Sequence, residues 1–455
     1  MKNDGSRSLQ VEWLRHLLFW LEALSLIDSE LSKAHRAAAP QVSRKNSKMA
    51  EDQLRSPLIQ RTGGSGFIKS CFNATNAFLG IGLLTVPYAL SRGGWLSLAL
   101  FFLIGIITFY TGILLTRCMD LDPSTTTYLD IAERAFGKTG RIVGLIIMNC
   151  DLYLVSIGLL ILEGDNLHKL FPKYRIHLGA LAIDGRRSFI ILTALVISPT
   201  MLLTDLGILS YVSATGIFSC FIIIASVICV GALEGVGFHG KGELLNLAGI
   251  PTALSLYIVC FAGHPVIPSI YTSAKHPQQL SKVLLCSFFV TTMTYALMAV
   301  TGYLMFGDGV ESQITLNLPT KAVSAKVAIY TTLLIPVTRY ALMMTPVASA
   351  IESGMSEEHL SKRLIRILIR LALLVSTVVV AYLFPYFESL MSIIGSVFVV
   401  LVSFLLPCFC YLKISGSRRC WSWKSVGNIG IIVFATFAGV IGTYSSIAQL
   451  VREMS

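Results

Sequence analysis

The sequence predicts an all-α polytopic membrane protein of eleven transmembrane helices, arranged as two inverted five-helix repeats plus one. Three observations carry this reading. Hydrophobic residues make up 54% of the 455-residue chain and charged residues only 13%, about half the share usual in a soluble domain. The apolar residues gather into runs, most of them close to the ~20 residues that cross a ~30 Å hydrocarbon core as a helix. The first and sixth runs are interrupted in their middles by small residues and prolines, and each interruption opens a set of five runs.

Residues 1–64 read as a polar, basic tail. Within it, 11–27 (VEWLRHLLFWLEALSLI) repeats Leu14, Leu17, Leu18, Leu21 and Leu24 at helical spacing. Glu12, Arg15, His16 and Glu22 interrupt that pattern, so an interfacial amphipathic helix fits better than a span. No basic leader and small-residue cleavage site frame it as a signal peptide. Met49 opens MAEDQLRSPLI, and translation from there is an expectation that N-terminal sequencing of the native protein tests.

The transmembrane domain occupies 65–455. Its apolar segments run over 67–90, 95–116, 142–162, 188–204, 208–232, 246–271, 283–305, 325–348, 364–384, 387–411 and 427–448. The first repeat is 67–232, the second 246–411, and 427–448 is the eleventh helix. An odd number of crossings puts the termini on opposite sides. Arg44, Lys45, Lys48, Arg55 and Arg61 place the N-terminus in the cytosol and the C-terminus in the lumen. Arg134, Lys138, Arg141, Lys362 and Arg363 then also fall on the cytosolic side, whereas Lys169, Arg186 and Arg187 do not. The net charge of +11 therefore serves topology, and no nucleic-acid partner is expected. The ten cysteines lie mostly in or beside apolar runs and form no disulfide framework.

The first interruption lies in NATNAFLGIGLLTVPYAL, 73–90, and the second in FAGHPVIPSIY, 261–271. Gly80 and Gly82 lack Cβ, so the chain can leave helical dihedrals there. Backbone groups freed at membrane depth must line a cavity or face protein. Pro265 suits the first turn of a second half-helix, and Pro87 is placed to kink the first helix beyond its break. Discontinuous helices at matching places in two inverted halves point to the binding site of a secondary transporter. Half-helix N-termini direct positive dipole ends at that cavity, where a carboxylate fits. The bland alternative is that these are kinks or close-packing glycines. Candidate substrate-binding residues are Asn76, Gly80, Ile81, Gly82, Ala262, Gly263 and His264. Asn73, Asn76 and Gly80 share one helix face, with interhelical hydrogen bonding as the other role open to the asparagines. The Asn73 glycosylation sequon sits at membrane depth and is discounted.

Asp151, Arg339 and His264 are the candidates for proton coupling. Asp151 sits early in the third span, followed by Tyr153 and Ser156, and intramembrane ionisable groups are functional by default. A structural pairing of Asp151 with a basic residue stays open. Arg339 lies near the middle of the eighth span, where an arginine costs ~2.5–3.5 kcal/mol on insertion scales. It must find acceptors in the interior. His264 could hold a proton, or be neutral and bonded to a loose carbonyl. Ser210, Tyr211, Ser213 and Thr215 read as helix–helix contacts or a path lining. Glu163, Asp165 and Asn166 read as solvated loop anchors, and Glu357, Glu358 and His359 as a solvated turn. No P-loop, nucleophile elbow or HExxH motif is present, so no enzyme activity, cofactor or metal is expected.

CFNATNAFLGIGLLTVPYALSRGGWLSL at 71–98 resembles the opening of the amino acid/auxin permease family. ILEGDNL at 161–167, EGVGFHG at 234–240, GYLMFGDGVESQITLNLP at 302–319, TRYALMMTP at 338–346 and LPCFCYLKISG at 406–416 resemble it too. The resemblance spans roughly 65–450 and runs to the plant vacuolar amino-acid transporter branch. It implies a leucine-transporter-like fold and proton-linked movement of neutral amino acids across the vacuolar membrane. The eighth-span basic position, commonly Lys in relatives, is Arg339 here. In sodium-coupled relatives of the fold an ion bridges the first and eighth helices. The expectation is that Arg339 replaces it by bonding carbonyls of the broken first helix. The expected partners are an amino acid, protons and the lipid bilayer. An auxin-like carboxylate substrate and an amino-acid sensor that signals through its tail are the alternatives.

Overall fold

The structure, a computed structural model, describes residues 65–174, 176–178, 181–201, 206–240, 242–353, 362–416 and 423–454. The amphipathic stretch 11–27, Met49 and the Glu357–Glu358–His359 turn lie outside the described residues, as do the side chains of Ser210, Tyr211, Ser213 and Thr215.

The first apolar segment is two helices, α1 (Phe67–Phe78) and α2 (Gly82–Gly93), bent by 56°. The second is α3 (Ser97–Leu121). The third is α4 (Tyr128–Leu170), whose start is fixed by a capping box between Thr127 and Asp130. Gly137, at φ 68°, breaks α4 into a short opening piece and the long spanning part, a conformation that favours glycine. A short antiparallel hairpin, β1 (Ile176–Leu178) with β2 (Leu181–Ile183), fills part of the third connection. Then come α5 (Gly185–Met201), α6 (Leu206–Leu233) and the second broken segment, α7 (Ile250–Cys260) and α8 (Ile267–Ser273). After these follow α9 (Leu280–Phe306), α10 (Val323–Ser353) and α11 (Lys362–Leu383). The tenth segment is α12 (Phe387–Ile393), a π-helical stretch Ile394–Leu405 and α13 (Leu406–Ile414). The last is α14 (Trp423–Met454).

Among the described residues, nine helices are long and apolar enough to cross a membrane, and α1 with α2 makes a tenth. The fourth predicted segment appears as α5, a helix of 17 residues.

The two broken segments run antiparallel and touch at both ends. Ser65 N–H donates to Ser273 O at 2.8 Å and Lys275 N–H to Ser65 O at 3.0 Å, tying the start of the first to the end of the second. At the other end Asn246 N–H donates to Gly93 O at 3.2 Å. There a Cβ on Gly249 would lie 2.0 Å from Arg92 O. Small residues draw the helices together elsewhere as well: a Cβ on Gly395 would overlap Ser255 O of α7 at 2.0 Å. The largest fully buried tyrosines have hydroxyl partners, such as Tyr257 on Ser97 at 2.8 Å and Tyr340 on Thr377 at 2.5 Å.

One expectation is corrected. The third segment does not end near 162 with Glu163, Asp165 and Asn166 in solvent. The helix continues to Leu170, and these three residues are buried. The connection after α9 folds back over them, its turn Ile314–Leu316 lying against α4.

Candidate functional site

The helical hydrogen-bond ladder of α1 stops at Phe78, because Leu79 turns extended (φ −77°, ψ 115°). Gly80 and Ile81 lie between the half-helices, and α2 starts at Gly82. Four of the freed groups, the Gly80 N–H and the Asn76, Phe78 and Leu79 carbonyls, find side-chain partners. Gly80 N–H donates to the Tyr295 hydroxyl at 2.9 Å, and that hydroxyl donates to Phe78 O at 2.9 Å. One side chain of α9 thus stitches both lips of the break. Arg339 of α10 supplies the cation: its Nη2 donates to Leu79 O at 2.5 Å and to Asn76 O at 3.3 Å. These are last-turn carbonyls at the negative dipole end of α1, where a cation is favoured. Arg339 as a whole is 7% exposed. It reaches them past Gly216 of α6, where a Cβ would sit 2.9 Å from Nη2.

The second break meets the first. The α7 helix stops at Cys260, residues 261–263 leave the helical path, and a tight turn at His264–Val266 leads into α8. A Cβ on Gly82 would lie 2.9 Å from Cys260 Sγ and 3.0 Å from Cys260 Cα. One on Gly263 would lie 2.5 Å from the Phe78 ring. Glycine at both positions therefore allows the two interruptions to lie side by side at one depth. Asn76, Gly80, Ile81, Ala262 and Gly263 keep partial exposure there, while Gly82 is buried. The first turn of α2 closes on the break itself: Leu83 N–H donates to Gly80 O at 3.1 Å and Leu84 N–H to Ile81 O at 3.0 Å.

The structure separates the remaining candidates. His264 is fully buried and points at α3, not into the shared space: its Nε2 is 3.0 Å from Thr111 Oγ1, and its Nδ1 has no hydrogen-bond partner. Asp151 lies on α4, which packs against α10 and the His264–Val266 turn. Its Oδ1 is buried without a hydrogen-bond partner. No salt bridge joins it to Arg339. Tyr153, two residues on, donates to Ser376 Oγ of α11 at 3.0 Å, and Ser156 bonds its own helix at Leu152 O. Asn73 is exposed. Tyr295, Gly216 and Thr111 are contributors that the sequence did not single out. A lone tyrosine in TTMTYALMAV and one more glycine in an apolar run carry no local signal. Among the described residues, no group of three His, Cys, Asp or Glu side chains could hold a metal ion.

The profile of the family described as "Transmembrane amino acid transporter protein" matches residues 63–448. Amino acid transporter AVT1I of Arabidopsis thaliana is 47% identical over 398 residues, 87% of this chain and 98% of that protein. Amino acid transporter AVT1J of the same plant is 46% identical over 389 residues, 85% of this chain and 92% of that protein. The fold is similar to that of MhsT, crystallised with L-phenylalanine, at 15% identity and a TM-score of 0.53, covering 83% of this chain and 98% of that one. It is also similar to a manganese transporter of Eremococcus coleocola, at 12% identity and a TM-score of 0.53, over 84% and 87% of the two chains. The architecture is thus the leucine-transporter-like one expected, in an integral membrane protein that is a carrier and not an enzyme. With the two breaks side by side and this match across 63–448, the chain belongs to the transmembrane amino acid transporter family.

Proposed function

We propose that the chain moves neutral amino acids across the vacuolar membrane, coupled to protons, by alternating access around the paired breaks. The observation that carries the proton coupling is the Arg339 guanidinium on the Asn76 and Leu79 carbonyls. A fixed cation there leaves no need for a sodium ion to neutralise the end of α1. The coupling ion must then act elsewhere, and Asp151, with a buried oxygen that lacks a partner, is our carrier for the proton. In a buried setting the neutral carboxyl is favoured unless a cation or donor compensates.

In this reading the substrate carboxylate lies at the positive dipole end of α2, beside the Ile81 and Gly82 N–H groups that precede its first closed turn. Asn76, Gly80, Ile81, Ala262 and Gly263 surround it, and Gly82 lets the half-helices approach. Among the described residues, those placed around the breaks are small or apolar apart from Asn76 and carry no fixed charge beyond Arg339, which suits a neutral side chain. His264, turned toward α3, steadies the second break and does not contact substrate. The N-terminus is cytosolic and the C-terminus lumenal. Two units, about 67–232 and 246–411, form the inverted repeats, with 427–448 added and residues 1–64 as a tail.

The test is uptake of a labelled amino-acid panel by the purified chain in liposomes, with and without an imposed pH gradient and with sodium exchanged for potassium. Gradient-driven, sodium-independent uptake of neutral amino acids is expected, and Asp151→Asn should abolish the gradient's effect. Uptake driven by sodium would sink the reading. Binding without uptake would favour a sensor.

A further inference from the structure

At the far end of α4 from Gly137, a run of buried polar groups has a direction imposed by charge. The Asp165 carboxylate accepts from Arg186 of α5 on one oxygen and from Gln313 Nε2 at 2.9 Å on the other. An ionised carboxylate can only accept, so the Gln313 amide must present its nitrogen there. Its Oε1 then faces Asn166, which must present Nδ2, at 2.7 Å. Asn166 Nδ2 also donates to Leu162 O at 2.8 Å. The orientation of both amides is thereby fixed, and it leaves Asn166 Oδ1 as an acceptor without a donor.

One turn earlier on the same helix face stands Glu163. It is 5% exposed, and its Oε2 is buried without a partner. The Thr315 hydroxyl, on the turn that covers this end of α4, is fully buried and also unpartnered. Native proteins leave few such atoms, so three together call for an explanation. Of these three groups only the Thr315 hydroxyl can donate, and an ionised Glu163 would set two acceptors, itself and Asn166 Oδ1, against that one donor and add a buried charge with no cation held on it. A protonated Glu163 supplies a second O–H.

The neighbouring charges are engaged elsewhere. Lys169 is held on Leu316 O, and Arg186 on Asp165. Arg339 and Arg370, from the two helices α10 and α11 that also pack on α4, are held on Leu79 O and Met201 O. Glu388 of α12 has Tyr88 and Gln449 as its polar neighbours. His168 and Glu311 make no hydrogen bond or ion pair with Glu163. We propose that Glu163 is a second proton-binding position of the carrier, distinct from Asp151. It keeps its proton while residues 313–316 cover it, and gives that proton to water on the lumenal side when they lift. The 12 residues between Glu163 and Asp151 correspond to about 18 Å of helix, so the two sites titrate separately. The covering turn also packs on α2: Ile314 Cδ1 and the Pro87 ring both lie within 3 Å of a Cβ built on Gly302. Lifting it therefore bears on the half-helix that begins at the break.

The proposal rests on the proton-coupled reading, and its test separates the two. Uptake by the full chain in liposomes is measured with a pH gradient and at symmetric pH, for wild type, Glu163→Gln and Glu163→Asp. The wild-type ratio of gradient-driven to symmetric uptake is expected to fall about tenfold in Glu163→Gln, within the usual span of coupling factors. Glu163→Asp should keep a gradient response, displaced along the pH axis. An infrared difference spectrum, wild type minus Glu163→Gln at neutral pH, should contain the carbonyl stretch of a protonated carboxyl. If wild type ignores the gradient, the coupled reading fails and the infrared band alone decides whether Glu163 holds a proton. A wild-type gradient response in Glu163→Gln, or a difference spectrum without the band, overturns the proposal even if coupled transport stands.

Discussion

Arg339 shows how a broken helix can hold a buried cation. An arginine in the middle of an apolar helix is unfavourable by itself. Here it is offset by charge-assisted bonds to two carbonyls that the broken helix α1 cannot satisfy internally. The sequence contained both halves of that statement, a breaker at Gly80–Gly82 and a cation two hundred and more residues later, and the expected contact is present. Arg339→Ala removes the bonds and leaves the carbonyl end of α1 uncompensated. Hydrogen bonds to a charged group are worth ~1.5–3 kcal/mol, so sodium-independent transport should fall by about ten- to a hundredfold. Added sodium should restore part of it by occupying the same carbonyls. Arg339→Lys keeps the charge but not the planar fork and should fall in between. Transport by Arg339→Ala equal to wild type would remove the central argument. Gly82→Ala probes the other side of the contact: its Cβ would meet the Cys260 backbone at 3.0 Å. The two half-helices must then separate. Transport is expected to drop while expression stays near wild type, and wild-type uptake would mean the close approach is dispensable.

At the scale of elements, legibility depended on whether the signal was local. Glycine and proline mark the two breaks because their backbone preferences act where they stand, and the breaks appeared where those residues are. The far end of α4 was misread for the same reason. Glu163, Asp165 and Asn166 are polar, and a hydropathy pattern cannot know that Gln313 and Arg186 will arrive from distant segments to bury them. Tyr295 was missed because its role exists only once α9 lies against the break. That role gives a test. Tyr295→Phe keeps the ring but deletes the hydroxyl shared by Gly80 N–H and Phe78 O. Each buried backbone group left unpaired costs ~1–3 kcal/mol. A lower melting temperature and weakened transport are expected together. An unchanged melting temperature would mean that the freed groups find other partners and that the stitch is not structural.

At the scale of the whole molecule, the question is which parts move as one. The two broken segments are pinned to each other at three levels: the backbone bridge between Ser65 and Ala274 at one end, Gly82 against Cys260 at the breaks, and Asn246 on Gly93 at the other end. By contrast, the α1 break is attached to α10 through one guanidinium. Alternating access by rocking needs one such cohesive body and a weaker seam against its neighbours. Residues paired across a bridge, as Ser65 and Ala274 are, lie about the distance a disulfide spans. Oxidising the double variant Ser65→Cys with Ala274→Cys would therefore bind the two segments covalently with little distortion. If they travel together, the cross-linked protein transports as well as its reduced form. If oxidation stops transport and reduction restores it, α1 swings on its own about Leu79–Gly80. The hinge would then be the break itself and not the seam along α10.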